Sequence, residues 1–541
     1  MFDYLIKNGF IVNGKKEKAF PGAIGVKNGK IAEVFHTPEP EREVSAEKIL
    51  DAAGSYVTPG FIDIHRHGDW EALRNGDDEL LNRQGLTTVV NGNCGLSVAP
   101  AGRKYQEEIT AFLSSVTGNP PRDVAAAPPV SDMKEYMEAL RRVKRSVNTG
   151  MLVGNGTIRA GVKGYETGKL SRTELREVWK AMEEALEAGA LGVSLGIAYA
   201  PEFEYDRDGL VEALQPLKNG NTPITVHVRN EGDGILPSMK EIISVGKALN
   251  IPVHISHLKC IGKKNWGETP REILRLFDEA ASQGVKVDFD LYPYLTGSTQ
   301  LVHVLPPQCQ QGGTQAILEH LADPDYRRYL TEILQKPSRE FENIVELAGF
   351  ERIYASTLHT KEYGSYAGQS IAEIAGRLGR DPYETLYDIL LAEKCRVTML
   401  DTIASEEDML FFLSDERANL ISDAIYPAGG KYHPRVCGAF PKLLTDYVRD
   451  KRIFSIEDAV YKMTAKPARV LGIKRGTLEA GMPADINVFH LEKLAVPADF
   501  EHPDKLCTGF DYVLVNGQIV VEKDVWRNPG CGQVVTEGSE I

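Results

Sequence analysis

The sequence lacks the features that would place the protein in a membrane, on nucleic acid or in an oxidising compartment. None of its 541 residues belongs to an apolar run as long as a membrane span. Its net charge of −14 argues against nucleic acid, because phosphate binding needs a clustered basic surface. Seven scattered cysteines favour reduced thiols over a disulfide framework. Since the N-terminus also lacks the basic and apolar regions of a signal peptide, we expect a cytoplasmic protein.

Both ends of the chain are rich in short β-strand patterns separated by turns. The dipeptides Asn13-Gly14 and Asn28-Gly29 are hairpin-turn signals near the first end. Neither end has enough strands to bury a core by itself. We therefore predict one small β-sandwich domain assembled from residues 1–57 and 481–541.

Between these ends, apolar strand patterns alternate with helical patterns such as 175–188, 239–249 and 271–282. This alternation predicts an α/β fold with parallel strands, and its length suits a (β/α)8 TIM-like barrel over residues 58–480. One more strand is found than a barrel holds, so one lies elsewhere. The rhythm breaks at about 297–357, which we interpret as an insertion over the barrel mouth. The candidate strands are 61–65, 87–91, 151–154, 191–194, 224–228, 253–257, 285–291, 397–400 and 419–423.

Polar groups suited to a metal follow the first two candidate strands. His65 and His67 are two residues apart, so on a strand both imidazoles point to the same face and can reach one ion. Cys94 follows the next strand between small residues that leave space for other groups. A pair of polar strand-end histidines and a buried inert cysteine are the alternatives. The strand-end positions favour imidazole and thiolate ligands.

Three later strands end in further candidates. His227 and His257 are thirty residues apart, an interval that suits successive β/α units. His254 points to the opposite face from His257 because their spacing is odd, so we take His257 as the ligand and His254 as a supporting residue. Asp423 ends a late strand, although a helix N-cap is an alternative role for it. Together with the first group, these residues predict a catalytic zinc site in which a carboxylate moves protons.

These motifs resemble the amidohydrolase superfamily, and within it the D-aminoacylase family of N-acyl-D-amino-acid deacylases. The run GFIDIHRH at residues 60–67 resembles the first-strand signature of the superfamily, and GNCG at 92–95 is similar to the D-aminoacylase group, which uses a cysteine where most dinuclear members carry a carbamylated lysine. The likeness covers nearly the whole chain. Further similar stretches are 189–194, 255–260, 265–267, 292–299, 433–441 and 462–469.

The resemblance implies a role for each candidate residue. Cys94, His227 and His257 would hold a tightly bound Zn²⁺. A second, weaker metal position would use His65, His67, Cys94 and Asp423, with Asp423 also catalytic. The substrate would be a small N-acyl amino acid whose α-carboxylate contacts Arg435 and Tyr292, with Lys259 and Ser298 as further substrate-binding residues. A surface salt bridge is the alternative for Arg435.

The chain departs from the family pattern at three places around the pocket. The usual Gly-His-Gly of the third strand reads Gly154-Asn155-Gly156, and the usual Ser-Asp-Gly reads Ser422-Asp423-Ala424. A usual Thr-Gly pair is replaced within residues 194–196. These differences spare the metal ligands and bear on the substrate's side chain and acyl group.

We therefore expect zinc-dependent hydrolysis of a linear amide, namely deacylation of N-acyl-D-amino acids. The alternatives are a cyclic amidase of the hydantoinase or dihydropyrimidinase kind, a D-peptidase, and a non-catalytic barrel subunit. Cys94 in place of a bridging lysine counts against the cyclic amidases. A non-catalytic subunit should have lost metal ligands, and this sequence retains all of them.

Overall fold

A computed structural model describes residues 1–40, 43–74, 77–124 and 128–537 of the chain. Within these ranges the strands, numbered in chain order, are β1 Phe2–Ile11, β2 Phe20–Lys27, β3 Lys30–Phe35, β4 Ala46–Asp51, β5 Tyr56–Pro59, β6 Phe61–Asp63, β7 Leu86–Asn91, β8 Asn148–Met151, β9 Val153–Gly154, β10 Val193–Gly196, β11 Ile224–His227, β12 Val253–Ile255, β13 Val287–Leu291, β14 Thr296–Gln300, β15 Ile353–Ala355, β16 Gln369–Ser370, β17 Thr398–Thr402, β18 Ala418–Leu420, β19 Ile486–Phe489, β20 Phe510–Val515, β21 Gln518–Glu522 and β22 Val525–Trp526.

The described α-helices alternate with the strands along most of the chain. They are α1 Asp78–Asn82, α2 Gln106–Thr117, α3 Met133–Arg142, α4 Asn155–Lys163, α5 Arg172–Glu187, α6 Arg207–Ala213, α7 Ile235–Leu249, α8 Glu268–Ser282, α9 Pro307–Gln310, α10 Gly313–Ala322, α11 Pro324–Leu334, α12 Ile344–Ala348, α13 Ile371–Leu378, α14 Pro382–Ala392, α15 Glu406–Ser414, α16 Arg435–Lys442, α17 Ile456–Met463 and α18 Ala465–Val470. None of the helices in the described ranges is both long and apolar enough to span a membrane.

The two ends of the chain share one nine-stranded sheet in the order β22-β21-β20-β19-β5-β1-β2-β3, with β4 pairing beside β1. Antiparallel pairing of β19 with β5 joins the ends. Asn28 and Gly29, both at positive φ, close the two-residue hairpin between β2 and β3 as predicted. The other signal, Asn13-Gly14, lies in the connection between the antiparallel strands β1 and β2, so it marks a hairpin with a longer loop and not a two-residue turn.

Two parallel sheets occupy the middle of the chain, which confirms the α/β prediction. One has six strands in the order β18-β13-β12-β11-β10-β9, and the other has three in the order β6-β7-β8. Backbone hydrogen bonds connect them on both sides: Leu152 N–H donates to the Asn91 carbonyl over 2.8 Å on one side, and on the other Asp423 N–H donates to the His65 carbonyl over 3.0 Å and His67 N–H to the Ala424 carbonyl over 2.9 Å. The ladders therefore form two sheets that meet at both margins.

The surplus candidate strand is 397–400, which lies in β17. This strand belongs to a separate four-stranded antiparallel sheet in the order β14-β17-β15-β16. The sheet and helices α9 to α14 enclose their own apolar cluster, which runs from Leu301 to Met399. The segment therefore continues well past residue 357, where we placed the end of the insertion. Helices α13 and α14 have the same period as the helices between the parallel strands, so their pattern alone could not assign them to this separate segment.

Candidate metal centre

Five of the predicted ligands come together at the carboxyl ends of the parallel strands. His65, Cys94 and His257 follow β6, β7 and β12, His227 is the last residue of β11, and Asp423 follows β18. In open parallel sheets, loops at this end converge on a common space, which is where α/β proteins bind ligands. All five side chains are buried, together with that of His67.

The ligand atoms form two groups that share the Cys94 sulfur. His65, His67 and Cys94 make one group, and Cys94, His227 and His257 make the other, with the ligand atoms of each within 4.8 Å of one another. Cys94 Sγ lies 3.3 Å from His65 Nε2 and 3.4 Å from His257 Nε2. The nitrogens His227 Nδ1 and His257 Nε2 are 2.8 Å apart. A thiolate and two imidazole nitrogens around one point are a donor set that fits Zn²⁺.

Three of these residues have an unusual backbone conformation. Cys94, His257 and Asp423 have φ angles of 54°, 36° and 51°, in the left-handed region that side-chain-bearing residues seldom adopt. The surrounding contacts must stabilise this conformation, and such residues concentrate at functional sites. Gly196 shows how tightly the Cys94 turn is packed, because a Cβ there would lie 1.9 Å from the Cys94 carbonyl oxygen.

Asp290, which the sequence analysis did not select, links several of the histidines. Its Oδ2 lies 2.8 Å from His254 Nε2 and 3.4 Å from His65 Nδ1, and its Oδ1 accepts a hydrogen bond from the backbone N–H of His257. A carboxylate on the far nitrogen of a ligating imidazole fixes its tautomer and orientation. The pattern could have indicated this residue, since Asp290 is one of two acids, with Asp288, that alternate with the apolar residues of the buried strand β13.

Glu231 makes a corresponding contact on the other side of the centre and was also missed. Its Oε1 lies 3.1 Å from His257 Nδ1, and its Oε2 lies 2.6 Å from Lys259 Nζ. Burial opposes ionisation of Glu231, but Lys259 and His257 outweigh it and lower the pKa of Glu231 to about 2. An ionised Glu231 therefore orients His257 and binds the ammonium of Lys259.

The surroundings of Cys94 favour the ionised form of its thiol. Burial alone would raise its pKa, but the charges of His65 and His257 outweigh burial and hold the pKa of Cys94 well below its ordinary value. Burial and the charge on His257 lower the pKa of His227. A thiolate and a neutral imidazole are the forms in which these side chains bind metals.

Asp423 lies between the first histidine pair and Arg435. Its Oδ1 is 3.4 Å from both His65 Nε2 and His67 Nε2, and its Oδ2 accepts from Arg435 Nη2 at 2.9 Å. Although burial opposes ionisation, Arg435 and the histidines hold the pKa of Asp423 well below its ordinary value. The Arg435 guanidinium stacks 4.4 Å from the centre of the Tyr292 ring. Asp423 is therefore an ionised carboxylate beside the metal ligands.

The predicted substrate-binding residues surround the same pocket. Tyr292, Lys259 and Ser298 line it together with Asp423. Arg435 is completely buried and reaches the pocket through its contact with Asp423. Its Nε and Nη1 atoms are buried without a hydrogen-bond partner among the described residues. The alternative of a surface salt bridge for Arg435 is therefore wrong, because the side chain is not at the surface.

Asn155, one of the departures from the family pattern, contacts the turn that contains Cys94 indirectly, through Glu202 and Gly196. Its Nδ2 donates to Glu202 Oε1 over 2.7 Å, and Glu202 Oε2 accepts the N–H of Gly196 over 2.7 Å. Burial raises the pKa of Glu202 to about 7. Gly196 is the residue whose missing Cβ makes room for Cys94, so this pair of side chains contributes to the position of the thiol.

The first prediction distinguishes the two neighbouring histidines by metal content. His257→Ala removes one of three atoms around a single point and should abolish tight zinc binding. His254→Ala removes only a contact to Asp290 and should leave the zinc content of the purified protein close to one ion per chain. Metal analysis after gel filtration measures both variants. Equal loss of zinc in the two proteins would contradict the assignment of His257.

Comparison with known proteins adds independent observations. Residues 48–521 match the model of the amidohydrolase family. A D-aminoacylase of Alcaligenes xylosoxydans xylosoxydans is 30% identical over 542 residues, covering 99% of this chain and 97% of that protein.

Two solved structures are similar over almost the entire chain. One is a D-aminoacylase structure that addresses the functional role of the binuclear metal center, with one-metal activation and second-metal attenuation. It has a TM-score of 0.80 at 29% identity, and the match covers 99% of this chain and 100% of that chain. The other is an N-acyl-D-glutamate deacylase from Bordetella bronchiseptica complexed with zinc and a phosphonate mimic of the tetrahedral intermediate. It has a TM-score of 0.81 at 28% identity and covers 99% of both chains.

Proposed function

The chain belongs to the amidohydrolase family, in its D-aminoacylase group, and from this membership we propose that it hydrolyses N-acyl-D-amino acids to a D-amino acid and a carboxylate. The single observation that carries the proposal is the convergence of Cys94, His227 and His257 beside an ionised Asp423. The sequence pattern and this geometry both support the proposal.

We propose that Cys94, His227 and His257 hold one zinc ion tightly, and that His65, His67, Cys94 and Asp423 hold a second ion more weakly. When bound, zinc supplies Lewis-acid polarisation of the acyl carbonyl and lowers the pKa of water to about 7. Asp423 accepts the proton of the attacking water and delivers it to the departing nitrogen. The water's oxygen ends in the carboxylate product, and the nitrogen leaves as the amine of the D-amino acid.

Substrate orientation depends on the basic and hydroxyl-bearing residues around Asp423. Arg435 Nη2 contacts Asp423, while Nε and Nη1 have no partner among the described residues, so the guanidinium has donors left for the substrate α-carboxylate. Tyr292, Lys259 and Ser298 line the adjacent wall and contribute further donors. Because the carboxylate and the scissile amide are both fixed, only one enantiomer can place its side chain in the remaining space.

We also propose that the two parallel sheets form one eight-stranded barrel, with β8 and β9 acting as a single strand. The hydrogen bonds at the two margins of the sheets support this arrangement. The domain division that follows is a β-domain from residues 1–57 and 481–541 around a barrel of residues 58–480.

The second prediction tests the reaction class. The zinc-loaded enzyme should hydrolyse N-acetyl-D-amino acids and leave hydantoin and dihydrouracil unchanged. Removal of zinc by a chelator should abolish hydrolysis, and about one equivalent of zinc should restore it. Release of free amine measures the linear substrates, and loss of ultraviolet absorbance measures the cyclic ones. Hydrolysis of the cyclic amides alone would instead support the hydantoinase alternative.

A further inference from the structure

Asp401 is an acid of the catalytic pocket that neither the metal centre nor the substrate-orienting residues use. Asp401 lies on β17, lines the pocket beside Ser298, and is only 2% exposed. Its Oδ1 atom is buried without a hydrogen-bond partner among the residues that the structure describes. Buried carboxylates are normally paired, so an unpartnered one at a pocket wall indicates that a bound molecule supplies the partner.

The lysine and the arginine whose charges act on this acid already have partners. Lys259 Nζ lies 2.6 Å from Glu231, and Arg435 Nη2 lies 2.9 Å from Asp423. Within the described ranges of the chain, no basic side chain forms an ion pair with Asp401. Burial accordingly raises the pKa of Asp401 to about 7. A positively charged group of the substrate would provide the missing partner and favour the ionised carboxylate.

The wall beside Asp401 is aliphatic. Gly297 lies opposite Asp401 across β14 and β17, and a Cβ at Gly297 would lie 2.5 Å from Asp401 Oδ1 and 3.3 Å from Ile403 Cδ1. The carboxylate and the methyl group therefore lie side by side over Gly297, in the space that a side chain at this position would fill. Ile344 and Ile425 line the same pocket. An aliphatic wall next to an acid matches a side chain with a hydrocarbon stem and a cationic end.

A second acid lies farther along the same wall. Glu342 Oε1 is 3.6 Å from His303 Nε2, and both residues line the catalytic pocket as well as an adjoining cavity of about 620 Å³. Glu342 reinforces the negative potential near Asp401, while the adjoining cavity gives a long side chain room to extend. An acidic substrate side chain would meet two carboxylates here and would be repelled.

We infer that Asp401 binds the cationic end of the substrate side chain, so that this enzyme prefers N-acyl derivatives of basic D-amino acids such as lysine and arginine. The inference rests on the proposed function and specifies its substrate class. Substrates with an acidic side chain, such as the N-acyl-D-glutamate in the name of the Bordetella relative, should have the lowest kcat/KM.

The experiment compares specificity constants of the zinc-loaded enzyme for N-acetyl-D-lysine, N-acetyl-D-norleucine and N-acetyl-D-glutamate. Lysine and norleucine share a straight aliphatic chain and differ at its end by the ammonium group. We expect kcat/KM for lysine to exceed that for norleucine by roughly 10- to 100-fold, the range typical of a hydrogen bond to a charged group. Asp401→Asn should reduce this ratio towards one, and Asp401→Lys should favour the glutamate substrate.

A matched control tests whether general negative charge explains the preference. Glu340→Gln removes an exposed acid that lines only the adjoining cavity, and it should preserve the lysine-to-norleucine ratio. A lysine-to-norleucine ratio of one or less in the wild-type enzyme would overturn the inference. A ratio in Asp401→Asn equal to that of the wild type would also overturn it. Hydrolysis of norleucine without a preference for lysine would leave the proposed function standing. No hydrolysis of any of the three substrates would refute both.

Discussion

Asp423→Asn is expected to lower kcat for N-acyl-D-amino acids by about 10²–10⁴-fold, the usual cost of losing a general acid–base. Asparagine has the same shape but cannot take a proton from water and pass it to the leaving nitrogen. The substitution should leave tight zinc binding intact, because Asp423 does not belong to the ligand group formed by Cys94, His227 and His257.

Zinc content, thermal unfolding and single-turnover rates together measure this variant. Asp278→Asn, at an exposed position on α8, is the matched control and should retain wild-type turnover. Near-normal turnover by a folded, zinc-containing Asp423→Asn protein would contradict the proton-transfer role. Loss of the tight zinc would show instead that Asp423 is a ligand of the first metal.

Arg435→Lys is expected to reduce kcat/KM for N-acyl-D-amino acids by about 10²-fold, within the range for disrupting a buried charge pair. Lysine retains the charge but lacks the planar fork that holds a carboxylate at two points. The variant also disturbs the 2.9 Å contact with Asp423 and should therefore slow every substrate to some degree.

The matching N-acyl amine, which lacks the carboxylate, separates these two effects. In Arg435→Lys, kcat/KM for the N-acyl amine should fall less than kcat/KM for the N-acyl-D-amino acid. The ratio of kcat/KM for D over L substrates should also be smaller in the variant than in the wild type. Equal losses for the amine and the acid would mean that Arg435 acts only through Asp423 and does not contact the substrate.

Strand periodicity explains why much of the candidate site could be predicted from sequence. His65 and His67 lie two residues apart just beyond β6, and both approach Asp423, as the alternation of side chains along an extended chain predicts. The odd spacing of His254 and His257 predicts different surroundings, and of the two His257 lies beside Cys94 while His254 contacts Asp290. Comparison with known proteins confirms the family that these motifs indicated.

Residues whose partners are distant in sequence could not be predicted in the same way. Asp401 belongs to β17, whose sequence pattern resembles those of the parallel strands, and the pairing of β17 with β14 places it opposite Gly297 at the pocket. Glu231 follows β11 in a loop, and its contact with Lys259 depends on how two loops meet. Periodicity describes which face of an element is buried but not which elements meet, and this limit also explains the insertion that was placed too short.

The enantiomer preference tests the central claim most directly. We would measure kcat/KM of the zinc-loaded enzyme for the D and L forms of one N-acetyl amino acid, with chiral analysis of the amino acid released. The account predicts hydrolysis of the D form with release of the D-amino acid, dependence on zinc, and little or no hydrolysis of the L form. Equal hydrolysis of both enantiomers, or faster hydrolysis of the L form, would contradict it.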